Sequence, residues 1–392
     1  MPTTTAAALG ARIETARLAA GLTRRRVEDL SGVSYGMIRH IEAGNRWPSD
    51  SILHALAHAI GTTPEALLDG PGRTDSRVHS AIPGIRQIIA TYDLPDDGPI
   101  RPLNQVAQDV AAATRQRVDS QYGQLAEGVA CLLAELFRAV DQGPDRERAA
   151  HLLALAVRSA DAIAYKYGYH DLSGRLVEIM RWATNQTGDT ALAAATAYVR
   201  TETYLASGHL AAGLKSLQRA ADQISSPRGE RATAAAGALH MRAAVVAGRM
   251  RDAGAAREHL AAATRYATAV REQLYDGTAV GPDSLEIHRL AVAVELGEPA
   301  DLTEAVAAAT RWVPPRSLPA ERRSHYYIDL GRAQMALGRP QHARESMQVA
   351  RQIAPQHVRE HGQVRTELAT MVRLDRGRDP QLLAFARWAK AI

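Results

Sequence analysis

Cysteine is almost missing from this 392-residue chain, and Cys131 stands alone. A single thiol excludes an internal disulfide and a cysteine-based zinc site, and its expected place is that of a small buried hydrophobe. Aromatic residues are scarce, with two Phe and four Trp. Lysine is rarer than its charge class suggests: Lys166, Lys215 and Lys390 are the only three among 47 basic residues. No apolar run reaches the ~20 residues needed to cross a bilayer. The opening MPTTTAAALGARIE has no basic segment ahead of an apolar one, so no secretory signal and no membrane partner are expected, and the chain is placed in the cytoplasm. Enzyme signatures are missing as well: no phosphate-binding glycine loop, no His-Glu-x-x-His, no Gly-x-Ser-x-Gly and no kinase set. Neither a catalytic residue nor a cofactor is therefore expected.

What is present is alanine, leucine and arginine. Hydrophobic residues make up 46% of the chain, enough for a sizeable core. Ala and the straight-chain residues lose little entropy in a helix, so the composition favours packed helices. The length implies two or more domains. Net charge is +5, which permits nucleic-acid binding without requiring it. Residues 1–70 hold seven Arg against seven Asp plus Glu, so any DNA contact there depends on where the charges sit.

Five short helical patterns fill residues 9–68. Leu9, Ile13 and Ala16 mark the first, which ends at Gly21. Thr23 is placed to cap a second helix with Val27 and Leu30 inside. Ser31-Gly32-Val33 forms a turn, and Ser34 caps a third helix that buries Ile38 and Ile41 and stops at Gly44. Ser49 or Asp50 opens a fourth with Ile52, Leu53, Leu56 and Ile60, closed by Gly61. Thr63-Pro64-Glu65 opens the last. The polar stretch from Gly70 to Ser76 and the loose segment Asp93–Pro99 make 71–102 a candidate linker. From 103 to 392 everything reads as helix, with no convincing alternating strand.

Residues 22–44, LTRRRVEDLSGVSYGMIRHIEAG, resemble the Xre/Cro/C1 repressor family. The small Gly32 at the tight turn, the apolar Val27, Leu30, Val33, Ile38 and Ile41, and the exit Ile41-Glu42-x-Gly44 followed by Arg46-x-Pro48-Ser49 carry the likeness. It covers roughly residues 8–69 and implies a five-helix, lambda-repressor-like domain over 1–70. The third helix would then enter the major groove of double-stranded DNA, with Tyr35, Gly36, Arg39 and His40 towards base edges. Thr23, Arg24, Arg25, Ser34, Asn45 and Arg46 would contact phosphates. By position, Arg17 and Glu42 would form the family's buried structural ion pair. Glu28 departs from the pattern, which usually has a small residue there.

The segment 324–355 carries Tyr327, Leu330, Gly331, Gly338, Ala343, Met347, Ala350 and Pro355, a spacing similar to the tetratricopeptide repeat. Weaker copies place turn glycines at Gly208, Gly248 and Gly297. Such helix pairs cannot bury their faces alone, so an α-solenoid over 103–392 is expected; an irregular helical bundle is the alternative. Mapping the repeat positions puts Tyr198, Glu202, Arg242, Ile287, Ile328, Arg332 and Met335 along a concave groove suited to a peptide or small amphipathic ligand. The layout resembles the peptide-sensing quorum regulators and a set of actinobacterial Xre regulators; the stretch 280–297 is similar to one that recurs in the latter. The resemblance implies a homodimer on an inverted-repeat operator, modulated by an effector. A protein-interaction scaffold tethered to DNA is the other reading. Two further features stand out. The cluster Tyr165-Lys166-Tyr167-Gly168-Tyr169-His170 reads as packing or as a contact. His357 and His361 share a helix face, yet without an acidic or Cys partner they give no metal site.

Overall fold

A computed structural model describes residues 6–69 and 73–392. The first five residues and Gly70-Pro71-Gly72, where the linker was expected to begin, lie outside them. The chain divides into two compact units, Met1–Ile85 with Ile392, and Arg86–Ala391.

The first unit holds α1 (Ala6–Ala19), α2 (Arg24–Ser31), α3 (Tyr35–Glu42), α4 (Asp50–Ile60) and α5 (Pro64–Asp69). Its helix ends follow local chemistry. The Thr23 hydroxyl accepts from the Arg26 amide at 3.1 Å, and those of Ser34 and Ser49 accept from the Met37 and Ile52 amides at 3.4 Å each. Gly32 and Gly61 end α2 and α4 in the left-handed region, at φ 70° and 78°. Leu9, Ile13, Val27, Val33, Ile38, Ile41, Leu53, Leu56, Ile60 and Leu67 share one core. Leu30, expected inside, is 47% exposed, because α2 is a short helix that turns only its Val27 side inward. The crossing of α1 over α3 is close: a Cβ at Gly10 would stand 2.3 Å from the Ile41 carbonyl oxygen.

The expected linker is largely helix. α6 (Arg73–Ala90) buries Val78, Ile82, Ile85 and Ile89, a helical period that the polar opening of the segment masked. Among the described residues of that segment, irregular backbone is confined to 91–102.

The second unit is all-α apart from one small hairpin. α7 (Leu103–Val118) and α8 (Tyr122–Gln142) lead into antiparallel pairs. These are α9 (Arg146–Lys166) with α10 (His170–Asn185), α11 (Thr190–Ala206) with α12 (Leu210–Gln223), and α13 (Glu230–Arg249) with α14 (Ala253–Ala267). Strands β1 (Gln273–Tyr275) and β2 (Thr278–Val280) follow. Then come α15 (Pro282–Leu296) with α16 (Pro299–Ala308), and α17 (Ala320–Ala336) with α18 (Pro340–Ile353). The chain closes with α19 (Pro355–Glu360), α20 (Gly362–Asp375) and α21 (Pro380–Trp388). Successive pairs touch through their first helices, α11 on α13, α13 on α15 and α15 on α17, the arrangement of a helical-repeat array.

Three further details depart from the sequence reading. Gly248 is not a turn residue but lies buried within α13, where its missing side chain admits α15; an added Cβ would meet Glu295 Cβ at 3.1 Å. The hairpin was unforeseen, although Asp276 and Gly277 at φ 46° and 76° are a two-residue loop of the type that Asp-Gly favours. Cys131 is exposed on α8, not buried.

Candidate nucleic-acid interface and ligand cavity

The local signals around α3 set out a surface. Tyr35, Gly36, Arg39 and His40 are all exposed on α3, and no heavy atom lies within 4 Å of a Cβ built at Gly36. Thr23, Arg25, Ser34, Asn45 and Arg46 are exposed around them. Sequence reading missed Trp47, which is 47% exposed beside Arg46.

Behind this face lies a charge network. Arg17 donates from Nε to Glu42 Oε1 at 2.6 Å and from Nη2 to Oε2 at 3.1 Å, a buried bidentate pair. Its Nη1 donates to the Leu22 carbonyl at 2.9 Å, tying the end of α1 to the loop before α2, while the Glu42 pair ties it to the end of α3. Arg24, expected at a phosphate, is also part of that network: it donates to Glu42 Oε2 at 2.6 Å and to Glu14 Oε1 at 2.9 Å. Glu42 thus accepts from two guanidiniums, a charge-assisted arrangement that engages Arg24 at the edge of the domain while its side chain stays 31% exposed. The unusual Glu28 has a use as well. Its Oε1 accepts from the Tyr35 amide at 2.8 Å, placing a negative group on the first turn of α3, where the backbone amides are unsatisfied.

The second unit encloses a cavity of about 520 Å³. Its walls come from α7, α9, α11, α13, the hairpin, α17 and the segment 357–363. Of the seven groove residues expected, Tyr198, Glu202 and Arg242 line it. Ile287 and Ile328 do not: they are 1% and 0% exposed, packed as core between helices. Arg332 and Met335 lie outside the lining too, and Arg332 is held by Asp329 at 2.8 Å and Glu295 at 3.1 Å. A repeat template fixes spacing along a helix but not how far each pair rotates, so the further residues slipped off the face. Tyr165, Lys166, Gly168 and His170 of the tyrosine cluster do line the cavity.

Charge in the cavity is unbalanced. Arg117, Arg158, Lys166, Arg242, Arg249 and Arg322 face Asp161, Glu202, Glu321 and Glu360. Lys166 and Glu321 pair at 2.6 Å, and Arg242 holds Glu202 at 2.9 Å. Burial pushes the Asp161 carboxyl up, and Glu202 adds to that, so one acid is held closer to neutrality. Arg117 and Arg158 have backbone partners: Arg117 Nη2 donates to the Gly277 carbonyl at 2.6 Å and Arg158 Nη1 to the Asp276 carbonyl. Burial pulls both guanidiniums down, Arg158 to about 9. Burial alone would raise the Tyr198 phenol, but Arg322, Arg242 and Arg158 outweigh it and bring it down to about 8. Arg322 donates to that phenol at 3.1 Å, and Arg242 lies 4.5 Å over its ring. The Nε atoms of Arg117 and Arg242 are buried without a hydrogen-bond partner among the described residues.

Residues 8–69 match the helix-turn-helix domain family. No curated protein matches the chain. Among solved structures, Bacillus thuringiensis PlcR in complex with the peptide PapR7 and DNA is similar at 15% identity, covering 66% of this chain and 94% of that one with a TM-score of 0.29. The apo form of the competence regulator ComR from Streptococcus vestibularis is similar at 11% identity, covering 94% of this chain and 99% of that one, also with a TM-score of 0.29. Residues 8–69 of the first unit thus form a helix-turn-helix domain. None of the described helices is long and apolar enough to cross a membrane.

Proposed function

We propose that the protein is a sequence-specific transcription regulator that binds an inverted-repeat operator as a homodimer and responds to an effector in the repeat cavity. One observation carries the DNA part: the exposed face of α3, with Arg39 and His40 outward, is backed by a buried ion pair that fixes the helix. Arg39 would read guanine, since its two parallel donors match O6 and N7. Arg25, Asn45 and Arg46 would hold phosphates and register; Arg24 would support the helix from behind. Two such domains would set recognition helices about 34–36 Å apart, one helical turn of DNA. Residues 1–70 would do this work, and 103–392 would dimerise and sense.

The cavity favours an anionic effector, a peptide or small molecule bearing carboxylate or phosphate, because cations outnumber acids on its walls and two buried guanidinium nitrogens lack partners among the described residues. Such an effector shifts DNA affinity only through unequal binding to two arrangements of the dimer. The test is selection from a random duplex pool, then footprinting with and without cell extract. A symmetric site protected by the parent and lost in Arg39→Ala supports the reading. Failure to enrich any duplex overturns it.

A further inference from the structure

Sequence reading gave His357 and His361 no metal because they stood as a pair. The fold adds a third imidazole from α17, 32 residues upstream of His357, at His325. One ring nitrogen from each of the three lies within 4.8 Å of the others. The ring centres are 5.3, 5.5 and 5.8 Å apart, and the planes are inclined by 45° to 78°, so the rings are not stacked. A tetrahedral zinc with Zn–N of about 2.0–2.1 Å places its imidazole centres about 5 Å apart. The three rings therefore stand close to the separation that one ion requires.

We propose that His325, His357 and His361 form a divalent metal site suited to Zn²⁺, whose fourth position opens into the cavity. Orphaned nitrogens support it. His357 is 4% exposed, yet its Nε2 is buried with no hydrogen-bond partner among the described residues, as is His361 Nδ1. A buried ring nitrogen left unpaired is destabilising, and a metal bond is one way to satisfy it. The other His357 nitrogen, Nδ1, lies 3.4 Å from the Lys166 ammonium, which can only donate, so a metal on Nε2 requires that contact to open and the ring proton to sit on Nδ1. Asp329, 1% exposed, lies 3.4 Å from His325 Nε2 and orients that ring through its outer nitrogen, leaving Nδ1 for the metal. The cationic Lys166 nearby is neutralised by Glu321 at 2.6 Å. Three neutral imidazoles with an open position suit zinc better than magnesium or calcium, which prefer oxygen. All three histidines line the cavity, so water or an anionic donor can complete the coordination.

The test uses the full chain without an affinity tag, stripped with chelator and titrated with Zn²⁺ in competition with an indicator chelator. The expected result is one high-affinity Zn²⁺ per chain, with tetrahedral visible absorption when Co²⁺ is substituted. His357→Gln and His361→Gln should each weaken binding at least tenfold, and Asp329→Asn about tenfold. If His357→Gln fails to fold, the half-buried His325 and His361 carry the measurement as His325→Gln and His361→Gln. A parent without a stoichiometric site, or variants that bind as the parent does, overturns the proposal. The measurement contains no DNA, so its outcome is separate from that of the regulator reading.

Discussion

In the helix-turn-helix unit, Arg25, Arg39 and Arg46 are exposed, and the buried charge is confined to the Arg17–Glu42 pair that Arg24 joins from the edge. In the repeat unit, Arg117, Arg158, Lys166 and Arg322 turn inward around a cavity. The first arrangement suits a long polyanion met from outside, where solvated cations exchange counterions for phosphates. The second suits a small ligand that must supply the hydrogen bonds the walls leave open. The partners are also spaced differently along the chain. Arg17 and Glu42 are 25 residues apart, whereas Lys166 and Glu321 are 155 apart and Arg117 and Gly277 are 160 apart.

The contrast is broken hardest at Glu42. Glu42→Ala leaves Arg17 buried without its carboxylate and is expected to cost about 3–5 kcal/mol. The first unit should unfold and lose DNA binding while Zn²⁺ uptake by the repeat unit persists. Loss of both functions together would show that the two units are not independent in stability.

A smaller effect is expected at Gly10. Gly10→Ala pushes a methyl against the Ile41 carbonyl, with a loss of about 1–3 kcal/mol. Thermal unfolding with and without operator checks this; an unchanged midpoint would mean that α1 and α3 are farther apart than described.

Arg39 and Arg25 sharpen the exterior half of the comparison. Arg39→Ala should cost about 1–3 kcal/mol on the preferred site and relax preference at one base pair, whereas Arg25→Ala should weaken all duplexes alike and lower the salt slope by about 1. Binding isotherms at several salt concentrations separate the two. Equal effects on specific and random DNA from both variants would remove the distinction between reading and positioning.

The interior half is tested by acid. Burial pulls His288 down to about 3, and its Nδ1 lies 2.7 Å from the Ser284 carbonyl oxygen. A group whose folded value lies below its unfolded value supports the fold fully above pH ~6.5. That support is lost as pH falls towards 3, by about 1.4 kcal/mol per unit. Urea midpoints at pH 7 and 5 should differ less in His288→Gln than in the parent; equal losses would place the acid sensitivity elsewhere.

Much of the first unit was legible because its signals are local. Thr23, Ser34 and Ser49 cap the helices they precede, and Gly32 and Gly61 close the helices they follow. The ion pairs of Arg24 were not legible, because only the folded domain shows two carboxylates within its reach. Most of the cavity was not legible. Tyr198, Glu202 and Arg242 were found through the repeat period, but Ile287 and Ile328 went to the core because small rotations between pairs accumulate. His325 carried no sequence signal at all; the Asp276-Gly277 loop did carry one, and it was passed over.

The chain alone determined that this protein is helical, that a turn at Gly32 joins two short helices, and that Arg39 and His40 stand on the exposed side of the second. Those properties depend on neighbours within about one turn of helix, where side-chain direction follows from spacing. Tertiary structure alone decided which charges share a cavity and which histidines meet, because those contacts join residues more than a hundred positions apart or on different helices, and their geometry depends on how each helix pair packs on the next.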